Sequence, residues 1–123
     1  SKVKKAERKI QGKWVLEEMR VIDGQGFTYY LDEVSGELDL DFEESSSIGV
    51  ATFQNDFIAN GQVFTTNFSG DSLELNMSEN VLYIGDSQDR KPFSVILYNS
   101  DDLVLEYYDF SKYQLRKFIF TRN

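Results

Sequence analysis

The sequence predicts an all-β domain, an antiparallel up-and-down meander of eight or nine strands that closes into a barrel behind a short N-terminal helical turn. Three observations carry this expectation. Apolar and polar residues alternate with period two along most of the chain, and turn residues interrupt the alternation at short intervals. The connections are also too short for a parallel crossover, which needs a dozen or more residues. At 123 residues the chain fits a single domain with one core, spanning residues 1–123.

The elements follow in order. The charged segment Lys4 to Ile10 has room for one or two helical turns, and Gln11-Gly12 breaks it before a first strand from Lys13 to Ile22. Asp23-Gly24-Gln25-Gly26 is a turn, after which Phe27 to Leu31 either extends a hairpin or covers one end as a loop. Glu37 to Glu43 alternates without a fault, so Leu38, Leu40 and Phe42 share one face and the acids the other. The same period recurs in Ile48 to Phe57, Gln62 to Phe68, Ser72 to Met77, Val81 to Ile84, Phe93 to Tyr98, Leu103 to Tyr108 and Tyr113 to Thr121. Asn60-Gly61, Ser69-Gly70-Asp71, Gly85-Asp86-Ser87 and Ser100-Asp101-Asp102 separate them. Pro92 lies at a strand start, where a missing N–H costs least, and neither a linker nor an internal repeat interrupts the domain. A meander of this many strands in a small domain curls and closes, which removes its exposed edges.

Composition narrows the function. The chain has no Cys and no His, which excludes disulfides, thiol nucleophiles, Ser-His triads and nearly every zinc, copper or haem site. Carboxylates, Lys, Tyr and hydroxyls remain for chemistry. No apolar run approaches the ~20 residues that cross a bilayer, so the chain as given is expected to be soluble. The net charge of −8 is unevenly placed. Seven cations and three acids fall in residues 1–20, four cations and no acid in 112–123, and eighteen acids face Arg90 and Lys91 between them. Such an acidic body, without aromatics interleaved along a basic stripe, argues against nucleic acid. Barrel closure would bring the two basic ends together, either as solvated strand ends or as a patch for an anionic surface.

The residues Ile10-Gln11-Gly12-Lys13-Trp14-Val15-Leu16 resemble the Gly-x-Trp opening of the lipocalins and the wider calycin group. The closing runs Leu103 to Tyr108 and Tyr113 to Arg122 are similar to those of small lipocalin-like domains of Bacteroidetes, which are often secreted or lipid-anchored. The resemblance implies a lipocalin-like barrel, a small hydrophobic ligand, and a last-strand Arg, Arg122 or Arg116, packed over Trp14. It also implies a location in the cell envelope or outside the cell, with peripheral or lipid-anchored membrane association. Fatty-acid-binding proteins share Gly-x-Trp, but their two helices do not fit residues 23–36.

The candidate ligand-binding residues are Trp14, Leu40, Phe42, Phe53, Phe64, Leu75, Tyr83, Phe93 and Tyr107, with Phe68 and Leu97 also read as inward. Each has a plainer reading. Trp14 fits a structural plug at the closed end better than a pocket wall, and the others either line a cavity or fill the barrel, since eight strands leave room for one small ligand at most. Asp39 and Asp41 stand about 7 Å apart by strand rise, within the range of glycosidase carboxylate pairs, but Glu37 and Glu43 continue their row as a solvated face. No catalytic residue, metal site or cofactor is implied. The expected function is non-enzymatic binding of a small hydrophobic or amphipathic ligand. A filled barrel acting as an interaction module of the cell envelope is the alternative, and a carboxylate-based hydrolase stands further back.

Overall fold

The computed structural model describes residues 1–123 except 32, 45, 55–62, 71, 87 and 123, and for 46–54 and 63–70 it describes the backbone alone. The chain opens with helix α1 (Lys2–Ile10), whose first turn is capped by Ser1, the hydroxyl accepting from the Lys4 N–H at 3.3 Å. Val3, Ala6 and Ile10 recur at helical spacing and form its apolar stripe, with Ala6 and Ile10 buried against the barrel. Gly12 then turns the chain into the first strand at φ +101°, a left-handed conformation that glycine adopts without a Cβ penalty.

Among the described residues ten strand segments follow: β1 (Gly12–Ile22), β2 (Thr28–Tyr30), β3 (Glu33–Asp41), β4 (Ser46–Gln54), β5 (Val63–Gly70), β6 (Ser72–Asn76), β7 (Val81–Gly85), β8 (Arg90–Tyr98), β9 (Asp102–Asp109) and β10 (Gln114–Arg122). They form one sheet in the order β5-β4-β3-β1-β10-β9-β8-β7-β6, with β2 also paired to β1. Every pairing is antiparallel. The ten segments make eight staves. β2 and β3 both lie antiparallel to β1, the first against Arg20–Ile22 and the second against Gly12–Val15, so they run in one direction as two parts of one stave. Following the antiparallel pairings both ways round from β1 gives β5 and β6 the same direction too. With one position between them, they are also one stave, paired to β4 in its first half and to β7 in its second. Strand β10 returns to pair with β1 along Trp14↔Arg122 to Ile22↔Leu115 and closes the ring. This is the antiparallel up-and-down barrel with a leading helical turn that the alternation predicts.

Two register shifts decide which side chains face inward. Between Leu16 and Glu18 an extra residue enters β1, so the inward row continues as Trp14, Leu16, Met19 and Val21. Between Val95 and Leu97 a second shift interrupts β8. Phe93 is buried and Val95 packs on the core, but Leu97 is 48% exposed and Tyr98 takes the inward place opposite Leu103. The expectation that Leu97 points inward is therefore corrected: a bulge moves the period by one residue. Tyr83 is corrected as well. Leu82 and Ile84 are the buried pair of β7, so Tyr83 between them lies on the outer face.

Candidate functional site

One end of the barrel is sealed. Trp14 is fully buried there, and its indole N–H donates to the Ile10 carbonyl at 2.9 Å, which ties the end of α1 to the first strand. The Arg122 guanidinium lies 3.8 Å from the centre of the Trp14 ring. The same guanidinium donates to the carbonyls of Gln11 at 2.9 Å, Lys13 at 3.4 Å and Lys9, while its Nε reaches the Ser100 carbonyl at 3.3 Å. Of the two arginines that the resemblance offered, Arg122 is the one over Trp14. The helix, the indole and the guanidinium together form a plug.

Above the plug the described walls are apolar. Leu16 faces Phe120, Met19 faces Phe118, Phe120 faces Leu103 and Phe118 faces Leu105 across the β1–β10–β9 ladders, all buried. Leu75 faces Leu82, which faces Phe93 across β6, β7 and β8. Phe93 links these walls, its ring 5.2 Å from that of Tyr107 and 6.3 Å edge-on from that of Phe118. Towards the far end the inward row of β10 finishes in a charge. Arg116 is buried opposite Val21 and Tyr107, and its Nη2 lies 3.2 Å from Oδ2 of Asp109. The Ser111 hydroxyl holds the Asp109 carboxyl below its usual range, against the opposing effect of burial, and Arg116 reinforces the shift.

The far end is ringed by exposed aromatics. Phe27 follows the turn that leaves β1, Tyr30 lies on β2, Tyr108 is next to the last residue of β9, and Phe110 and Tyr113 lie in the β9–β10 turn. Phe110 is 77% exposed with its ring 4.7 Å from that of Tyr108, and Tyr113 is 68% exposed at φ 53°, a left-handed conformation that a bulky side chain seldom adopts. Among the described residues no helix covers this end.

The candidate residues separate accordingly. Trp14 belongs to the plug, and Leu40 lies beside it opposite Gly12. Leu75, Phe93 and Tyr107 line the interior. Phe42, just beyond β3, packs on the core from the closed end and also walls a cleft of about 340 Å³ outside the barrel, shared with Lys4, Glu7, Arg8, Gln11 and Glu43. Tyr83 is outside, under the Arg90 guanidinium at 4.4 Å, with its hydroxyl on Glu79. Phe53, Phe64 and Phe68 have side chains outside the described residues. Arg116 escaped the sequence reading as an interior residue, although it shares the parity of Phe118 and Phe120.

Asp41 of the carboxylate pair has a structural role. Asp41 Oδ1 accepts from the Gln11 amide and from the N–H groups of Glu43 and Glu44, which organises the turn after β3. Asp39 sits opposite Lys13 in the β1–β3 register. Among the described residues no group of three or more acids is placed to hold a metal ion, and no helix is long and apolar enough to cross a membrane.

No family model and no curated protein sequence matches the chain. Among solved structures the chain is similar to a de novo designed fluorescence-activating β-barrel, at 13% identity over 96% of this chain and 97% of that one, with a TM-score of 0.52. A deswapped triple mutant of bovine odorant-binding protein aligns at 13% identity over 94% of this chain and 74% of that one, with a TM-score of 0.49. At this level of identity the designed barrel is a likeness of fold, and it places the chain among closed antiparallel β-barrels.

Proposed function

We propose that this protein is a non-enzymatic, lipocalin-like carrier that takes a small hydrophobic or amphipathic molecule into its barrel through the end opposite the plug. The observation that carries the reading is the asymmetry of the two ends. One is sealed by α1, Trp14 and Arg122, whereas the other combines an apolar interior with exposed aromatics and, among the described residues, no covering helix. Tyr113 supports it further, since an exposed Tyr kept in a left-handed conformation costs stability that Gly or Asn would not. The lipocalin-like assignment also draws on Gly12-Lys13-Trp14 and Arg122, which meet in space as the resemblance implies. The designed barrel of similar fold is titled as fluorescence-activating, in keeping with a binder. A place in the cell envelope or outside the cell rests on sequence resemblance.

A second reading has its own observation. Phe27, Tyr30, Tyr108, Phe110 and Tyr113 form a rim that would equally suit a protein partner docking on a filled barrel.

Titration with N-phenyl-1-naphthylamine separates the two. Saturable fluorescence enhancement at one site per chain, displaced by long-chain fatty acids, is the expected result. No saturable enhancement would sink the carrier reading in favour of a filled barrel. Loss of binding in Phe42→Ala but not in Tyr107→Ala would move the site to the outer cleft.

A further inference from the structure

Helix α1 does more than the plug requires. Its inner stripe, Val3, Ala6 and Ile10, packs on the barrel, and the rest of its surface is Lys2, Lys4, Lys5, Arg8 and Lys9, all exposed, with exposed Lys13 following at the start of β1. Glu7 is its one acid and lies 3.5 Å from Lys4. Arg20, Arg90 and Arg116 pair with Glu18, Glu74 and Asp109, whereas among the described residues Lys2, Lys5, Arg8, Lys9 and Lys13 are in no ion pair.

Arg8 and Lys9 in the last turn suit the macrodipole, but the rest of this arrangement works against the helix that bears it. Lys2, Lys4 and Lys5 occupy the first turn, where the macrodipole favours acids, and no acid is present there. Lys4 and Arg8 stand at i,i+4, as do Lys5 and Lys9, and like charges at that spacing repel. A sequence chosen for helix stability alone would not look like this, and such local violations concentrate where a protein functions.

The charge elsewhere indicates what the helix faces. With five cations and one acid α1 carries +4, and since the whole chain carries −8 the remainder carries −12. The exposed face of α1 is thus a local positive patch on an otherwise acidic molecule, with Asp41, Glu43 and Glu44 of the turn after β3 beside it. A flexible polyanion such as nucleic acid would meet the acidic walls as it bent around the cap. A planar anionic surface laid on the exposed face of α1 meets its cations first, and salt screens acids beyond a Debye length of about 8–10 Å. α1 is roughly 13 Å long, nine residues at the helical rise, which suits contact with several lipid headgroups. Its apolar stripe is committed to the barrel, so attachment is electrostatic and does not insert side chains.

We infer that the closed end docks on an anionic lipid bilayer through Lys2, Lys5, Arg8, Lys9 and Lys13, leaving the aromatic rim and the barrel entrance facing away from the membrane. The test is flotation with vesicles of phosphatidylcholine alone and with a quarter phosphatidylglycerol, at low and high salt. The protein should float with the anionic vesicles at low salt, be released by high salt and ignore pure phosphatidylcholine. The double variant Lys2→Glu/Lys5→Glu, which puts acids in the first helical turn where the dipole favours them and so keeps the fold by circular dichroism, should bind at least about tenfold more weakly. Equal flotation of variant and wild type, or no flotation of wild type at low salt, overturns the inference. So does single-stranded DNA that competes the protein off the vesicles at equal phosphate concentration.

Discussion

The Arg122 guanidinium covers the Trp14 ring at 3.8 Å while donating to carbonyls on either side of the α1–β1 junction, so the last strand locks the first. Removing it exposes the indole and leaves several carbonyls without their donor. Arg122→Ala should therefore lower stability by about 2–3 kcal/mol in urea unfolding, from charge-assisted hydrogen bonds and a cation–π contact. Arg122→Lys should recover less than half of that, because an ammonium cannot reach several carbonyls and stack at once.

The choice between Arg122 and Arg116 shows where sequence reasoning stops. Both have the parity of Phe118 and Phe120, so alternation sends both inward, but it says nothing about which end of the barrel each occupies. That is fixed by the β1–β10 register, which sets Arg122 opposite Trp14 and Arg116 opposite Val21. The strands, their antiparallel order and the leading helix were legible because they depend on local period and on turns. The inward set was legible only where the period ran unbroken, as through Leu38 and Leu40. It failed at Tyr83, where Leu82-Tyr83-Ile84 is apolar throughout and gives no parity, and at Leu97, where a bulge leaves no local mark.

That bulge makes a sharp comparison possible. Phe93 and Leu97 are large, apolar and four residues apart on β8, yet one is buried and the other is half exposed. Phe93→Ala should cost about 3–5 kcal/mol, the usual range for a buried Phe. Leu97→Ser should change stability by less than about 1 kcal/mol. Chemical denaturation of the two variants checks the register shift directly, since an unbroken strand would make both substitutions costly.

Tyr113 carries strain in the turn between β9 and β10. Replacing it with Gly removes the left-handed penalty at an exposed site, and Tyr113→Gly should raise stability by about 1 kcal/mol. If the rim guides ligand entry, the same variant should bind N-phenyl-1-naphthylamine more weakly despite being more stable. A thermal melt and a dye titration on one preparation read both effects.

Asp109 makes stability depend on acid. The hydroxyl of Ser111 donates to it at 2.6 Å, the backbone N–H groups of Ser111 and Lys112 donate as well, and Arg116 pairs with it, which outweighs its partial burial and keeps the folded carboxyl below its ordinary value. The folded protein therefore releases this proton more readily than the unfolded chain does. Its stabilising effect is fully present above the unfolded value of about 3.9 and is lost as pH falls through the lower folded value. Asp23 behaves similarly: burial pushes its carboxyl up, but donation from Phe27, Gln25 and the Tyr29 hydroxyl prevails and lowers it. Asp109→Asn should thus be less stable than wild type at neutral pH, with the difference narrowing as pH drops below about 4. Because Asp23 is untouched, the variant should keep a shallower acid limb of its own, which urea midpoints between about pH 7 and pH 3 would resolve. A variant that parallels wild type across that range would show that ionisation of Asp109, held by Ser111 and Arg116, does not couple to folding.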